Sequence, residues 1–196
     1  RLLVDMGFDF RRGRIDRSSH PFTMMSGEDD VRLTIRTHPR TPVPAIFTTL
    51  HEGGHALYDQ GIPEALHGTL LAEGPSTGLH ESQARLWENH VGRSAGFWDH
   101  YFSKLRQVFP AELAGLDART FHRAINVVAP SLNRVESDEA TYNLHVLVRY
   151  ELELELLSGG LGVAELPAAW SELYRHYLGV TPTSAPRCLG SAAIVR

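Results

Sequence analysis

The residues best suited to chemistry in this chain are two histidines four apart with a glutamate directly after the first, His51-Glu52-Gly53-Gly54-His55. On a helix, positions i and i+4 lie one turn apart on one face, so both imidazoles can reach a single metal ion. The glutamate points to the side of that pair, close enough to serve as base toward a water at the same ion. This is the H-E-x-x-H zincin pattern. Such a site needs a third protein ligand that leaves one position open. Glu81 is the first choice, on a separate helix that a short connection would pack against the first; His80 is its rival and Glu73 a weaker one. Gln83 and Arg85 could support the ligands from the same stretch. Arg85 could equally form a plain surface ion pair with Glu81 or Glu88.

The surrounding residues predict the helix that this geometry needs. Ile46, Leu50 and Leu57 repeat at helical spacing, while His51, His55 and Tyr58 fall on another flank. Pro42 and Pro44 suit a first turn, and Gly61 with Pro63 supplies the stop. Gly53 and Gly54 each cost an interior helix roughly 1 kcal/mol against alanine. That is understandable if a substrate strand or a packed helix approaches the backbone there. Upstream, the β-branched run from Val31 to Thr37 reads as a strand, paired as a hairpin with Phe22-Thr23-Met24 across a turn at Gly27–Asp30. Val31, Leu33 and Ile35 share one face; Arg32, Thr34 and Arg36 share the other. Arg32 is either a rim of the cleft or a solvated residue paired with Asp29 or Asp30.

Downstream the pattern is helical. A helix is expected near Gly78 to Glu88, another from Gly92–Phe102 to about Pro110, and a third capped by Asp117 through Phe121, Ile125 and Val128. Glu139–Leu157 contains the alternating Glu151-Leu152-Glu153-Leu154-Glu155-Leu156, a strand signature. It runs nearly twenty residues without a turn signal and is rich in helix formers, so helix is the reading. Asn143, His145 and Arg149 on it read as interior polar groups rather than site residues. Glu165–Leu178 is a last amphipathic helix. The fold class is mainly α, with a small β-hairpin or sheet beside the motif helix; residues 1–180 are expected to form the domain that carries the site and 181–196 an irregular tail.

The chain has 196 residues and a formal charge of −4, which offers no basic surface for nucleic acid. Arg11, Arg12, Arg14 and Arg17, interleaved with Asp9 and Asp16, read as a solvated face. The single cysteine, Cys188, excludes an internal disulfide and suits a reducing, cytoplasmic setting. No apolar run is long enough to span a bilayer, and no signal-peptide pattern opens the chain. It begins at Arg1 without methionine, so the true start is expected upstream or removed.

Five stretches together resemble the thermostable metallocarboxypeptidases typified by carboxypeptidase Taq. They are His20-Pro21-Phe22, the D-x-R-x-T box at Asp30–Thr34, His51–His55, His80-Glu81-Ser82-Gln83 and Arg134–His145. The resemblance implies a zincin-like helical metallopeptidase fold with a small sheet beside the cleft, and usually a homodimer. It implies zinc, with cobalt or manganese as substitutes, held by His51, His55 and Glu81, and Glu52 as catalytic base. Peptides with a free C-terminus would be the substrates. Arg134 is the first candidate for gripping the terminal carboxylate, Arg32 the second, and His20 lies in the same family boxes. Asn133 and Ser137 depart from the family pattern, and its downstream box G-x-x-Q-D-x-H-W is absent. The chain looks like the metal-binding middle of longer members, so weakened activity is expected; the alternative is a catalytically silent, zinc-binding, dimerising remnant.

Overall fold

A computed structural model describes residues 1–37, 41–135 and 137–181. The expected tail and Glu136 lie outside the described residues. The chain divides into two compact units, residues 1–122 and the chain from Arg123 onward.

The first unit opens with a short helix, α1 (Leu2–Met6), closed by Gly7 at φ 100°, a left-handed conformation that glycine adopts without strain. Three strands follow, β1 (Gly13–Arg17), β2 (Thr23–Gly27) and β3 (Asp30–Ile35), in the order β1-β3-β2. The expected hairpin is present: β2 runs antiparallel to β3, with Thr23 opposite Leu33 and an irregularity between Met25 and Gly27. The sequence reading missed β1, which pairs parallel with β3, Ile15 opposite Leu33. Val31 and Leu33 are fully buried against Leu3, Phe8 and Ala56. Thr34 departs from the expected polar outer face. It is buried, its hydroxyl 2.7 Å from Ser18 Oγ and accepting from the Phe22 amide at 3.1 Å.

The arginine patch is only partly the solvated face expected. Arg11 and Arg14 pair with Asp9 and Asp16 in the open. Arg12 instead reaches Asp29 at 2.7 Å and donates to the carbonyls of Gln60 and Glu28 at 3.0 Å each. A guanidinium at the C-terminus of a helix satisfies carbonyls that have no partner within it.

The motif helix, α2, runs Val43–Gln60 with Pro44 in its first turn and Gly61 at its end, as expected. Two single 3₁₀ turns, Glu64–Leu66 and Leu70–Ala72, lead to α3 (Thr77–Arg85), whose amide at Leu79 donates to Ser76 Oγ at 3.1 Å. The helix then widens into a π-turn, Leu86–Val91, which no sequence pattern announced. After α4 (Ala95–Val108), Phe121 of α5 (Ala118–Ile125) packs on Trp98 and Phe102. Helix α5 stops at Ile125, short of the expected Val128, which is exposed.

The second unit is a helical pair, α6 (Glu139–Ser158) and α7 (Leu166–Leu178), packed through Val148, Leu152, Trp170, Tyr174 and Leu178. The alternating leucines are helical: Leu152 is buried while Leu154 is 49% exposed. His145 is fully buried, its Nδ1 3.1 Å from Tyr174 Oη, and Arg149 donates to its carbonyl. Asn143 is exposed rather than interior.

The two helix glycines have a physical reason. A Cβ at Gly53 would lie 2.7 Å from Met6 Cε and 2.8 Å from Leu3 Cδ2 of α1. At Gly54 it would lie 2.7 Å from Ala84 Cα and 2.8 Å from the Gln83 carbonyl, both backbone atoms of α3. Packed helices, not a substrate strand, make these approaches. Gly54→Ala is therefore expected to destabilise by about 1–3 kcal/mol, because the α3 backbone must move. The gain of about 1 kcal/mol in helix propensity does not offset this. A lowered denaturation midpoint at unchanged slope is the readout.

Candidate metal centre

Helix α2 places His51 and His55 on one face, and the Gly54 contact brings α3 close enough for Glu81 to reach both. His55 Nε2 lies 3.3 Å from Glu81 Oε2 and His51 Nε2 lies 3.6 Å from the same oxygen. Among the described residues these three form the one group whose donor atoms converge, all within 4.8 Å. Ligands bound tetrahedrally at about 2.0–2.1 Å stand roughly 3.3 Å apart, so the donor set fits a zinc-sized divalent ion. Two neutral nitrogens and one carboxylate also match the ligand chemistry of such sites.

The contacts behind the three donors involve more residues than the sequence pattern suggests. Arg85 donates from Nε to Glu81 Oε1 at 3.0 Å and from Nη1 to Glu88 Oε2 at 3.1 Å, so it pairs with both carboxylates. Glu88, on the π-turn, sits 2.8 Å from His51 Nδ1. His80, the rival ligand, stands behind His55 instead, its Nδ1 2.8 Å from His55 Nδ1. Gln83 turns its side chain to Ser82 Oγ at 3.5 Å, and Glu73 is exposed on the connection before α3.

Glu52 is 6% exposed. The Thr23 hydroxyl of β2 donates to Glu52 Oε2 at 2.7 Å, and lies 3.1 Å from the Glu52 carbonyl. The sheet thus pins the motif glutamate. Neither Thr23 nor Glu88 was a sequence candidate. The D-x-R-x-T box placed the sheet near the motif but named no contact to Glu52.

The substrate candidates each have local contacts of their own. Arg32 forms a two-pronged pair with Asp30 on the face of β3. His20 is exposed on the β1–β2 connection, where its carbonyl accepts from Ser18 Oγ. Arg134, in the second unit, donates to Tyr142 Oη at 2.7 Å.

The cluster's charges are mutually dependent. Burial works against a charged His51, yet the hydrogen bond it donates to Glu88 and the carboxylates of Glu88, Glu81 and Glu52 outweigh it and raise its pKa. Burial likewise opposes a charged Glu81. The hydrogen bond from His55 and the nearby His51 and Arg85 outweigh it and hold Glu81 at about 2. A depressed carboxyl contributes stability above its ordinary value that is lost as pH falls toward the folded one. A raised imidazole contributes stability below its ordinary value that is lost as pH rises through the folded one. Between the two ordinary values, roughly pH 4.5 and 6.5, both contributions are present in metal-free protein. Melting of chelator-treated protein is expected to show a stability maximum in that window, and His51→Gln to remove its alkaline decline.

Comparison with known proteins decides the lineage. The carboxypeptidase Taq (M32) metallopeptidase family matches residues 1–189. The chain belongs to this family. It is 52% identical to thermostable carboxypeptidase 1 of Thermus thermophilus over 92% of this chain and 35% of that protein. It is 44% identical to carboxypeptidase 1 of Bacillus subtilis, over 92% of this chain and 36% of the relative. The crystal structure of an M32 carboxypeptidase from Deinococcus radiodurans aligns with TM-score 0.90 at 50% identity, over 93% of this chain and 37% of that one. The M32 chain described here thus spans about a third of the relatives it matches. Among its described residues no helix is long and apolar enough to cross a membrane.

Proposed function

We propose that this chain is a zinc-dependent metallocarboxypeptidase that releases C-terminal amino acids from peptides, with residues 1–180 as its catalytic region. The observation that carries the reading is the convergence of His51, His55 and Glu81, with Glu52 pinned beside them. Zinc held by His51, His55 and Glu81 would supply a Lewis acid for the scissile carbonyl and a water activated near neutral pH; cobalt or manganese are substitutes.

The chain's own residues do the rest. The Glu52 carboxylate takes the proton of the attacking water and returns it to the leaving amine. Thr23 holds that carboxylate in one orientation. Arg85 ties Glu81 to Glu88, and Glu88 fixes the ring of His51. A guanidinium matches a terminal carboxylate in two-pronged geometry. Family resemblance makes Arg134 the first candidate for that grip and Arg32, which pairs with Asp30, the second; His20 is a further candidate contact. Family resemblance adds a homodimer, and the single cysteine suits the cytoplasm.

The test is incubation of zinc-loaded protein with peptides bearing free or amidated C-termini, read by mass. Stepwise loss of terminal residues from free peptides alone is expected. Release from neither, with zinc bound, would favour a silent zinc protein; internal cuts would exclude an exopeptidase.

A further inference from the structure

The two imidazoles that face Glu81 are held from behind in different ways. His51 Nδ1 meets a carboxylate, Glu88 Oε2, at 2.8 Å. His55 Nδ1 meets a second imidazole, His80 Nδ1, at 2.8 Å, and His80 Nε2 lies 2.9 Å from Asp59 Oδ1. Asp59 stands one turn after His55 on α2, so the contacts leave that helix, pass through α3 and return. The two rings are nearly parallel, 19° apart, and Tyr58 packs its edge against His80. Asp59 is 13% exposed and His80 27%, so both bonds are shielded from bulk water.

We propose that Asp59 and His80 form a positioning pair that decides which nitrogen of His55 carries its proton, keeping the Nε2 lone pair turned toward the metal. The inference rests on the reading above that this site takes a divalent ion. A carboxylate can only accept, so His80 donates to Asp59 from Nε2. A neutral imidazole has one N–H, which leaves His80 Nδ1 as an acceptor. The contact between the two Nδ1 atoms then requires His55 to donate. With an ion between His55 and Glu81, that proton resides on Nδ1, and Nε2, the atom 3.3 Å from Glu81 Oε2, presents its lone pair to the ion. Glu88 does the same for His51 directly. The direction of the longer chain is set at its far end, by a residue that touches neither the ion nor its ligands.

Two measurements test this. Histidine ¹⁵N spectra of the unmodified, zinc-loaded protein are expected to show the proton between the two rings on His55 Nδ1 and that of His80 on Nε2; a proton on His80 Nδ1 overturns the proposal. Zinc affinity is then read by competition with a chromophoric chelator. Asparagine at position 59 can turn its amide N–H toward His80 and reverse the chain. Asp59→Asn is therefore expected to mix the His55 tautomers and weaken zinc binding about 10- to 100-fold. Metal-free melting should change little, and Asp59→Glu, which keeps an acceptor, should recover most of the loss. Zinc binding by folded Asp59→Asn as tight as that of the unmodified protein overturns the proposal. If Asp59→Asn does not fold, the tautomer of the unmodified protein decides alone. A failure of the unmodified protein to bind zinc would overturn the metal reading on which the pair rests, a result distinct from undiminished zinc binding by Asp59→Asn.

Discussion

Glu52→Gln is expected to lower kcat for peptide hydrolysis about 10²–10⁴-fold, the usual contribution of a positioned general base. The substitution keeps the shape of the side chain and leaves a carbonyl oxygen that can still accept from Thr23 Oγ1, now at 2.7 Å from the carboxylate. What it removes is the capacity to take a proton. Because Glu52 is not among the converging donors, zinc content should stay at one equivalent. KM should move little, since the lost interaction is made in the transition state. Steady-state kinetics with parallel metal analysis checks this; unchanged turnover would remove Glu52 from the mechanism.

Loss of one metal ligand should cost more affinity than any supporting contact. Substitutions behind a ligand weaken metal binding by roughly 10–100-fold. His55→Ala is expected to exceed that range, because it deletes a donor and leaves His80 without the imidazole it faces. Hydrolysis should fall to background in the variant and in chelator-treated protein, and return to the latter with one equivalent of zinc. Zinc at a thousandfold excess over its dissociation constant stabilises the folded state by about 4 kcal/mol. The unmodified protein should therefore melt well below its loaded form when stripped, and His55→Ala should show almost no such gap. A loaded and a stripped protein that melt together would contradict the account.

How much of this could be read in advance depended on where the information lay. The motif helix was legible because its ends are chemical signals within the chain: prolines in the first turn and a glycine at the stop. Strand β3 was legible from its β-branched alternation. Strand β1 was not, because its charged residues hid a segment whose order comes from backbone pairing to β3 and one half-buried Ile15. The π-turn has no residue code. Helix α5 ends at Ile125, and Val127 and Val128, each 60% exposed, do not continue its core face. In α6, alternation misleads only if every leucine must be buried, and the exposed Leu154 shows otherwise.

The site divides along the same line. His51, His55 and Glu81 were legible as types and spacings, whereas Thr23 and Glu88 act across the fold. Asp59 is an intermediate case. It continues the i, i+4 series of His51 and His55, a signal that could have drawn attention to the turn behind the ligands.

The central claim is that one divalent ion is gripped by two imidazoles of α2 and one carboxylate of α3. X-ray absorption at the zinc edge, on protein loaded with one equivalent, addresses it most directly. The account predicts nitrogen and oxygen neighbours at about 2.0–2.1 Å with outer-shell scattering from two imidazoles. Sulfur scattering at about 2.3 Å, or the absence of any imidazole signal, would contradict it.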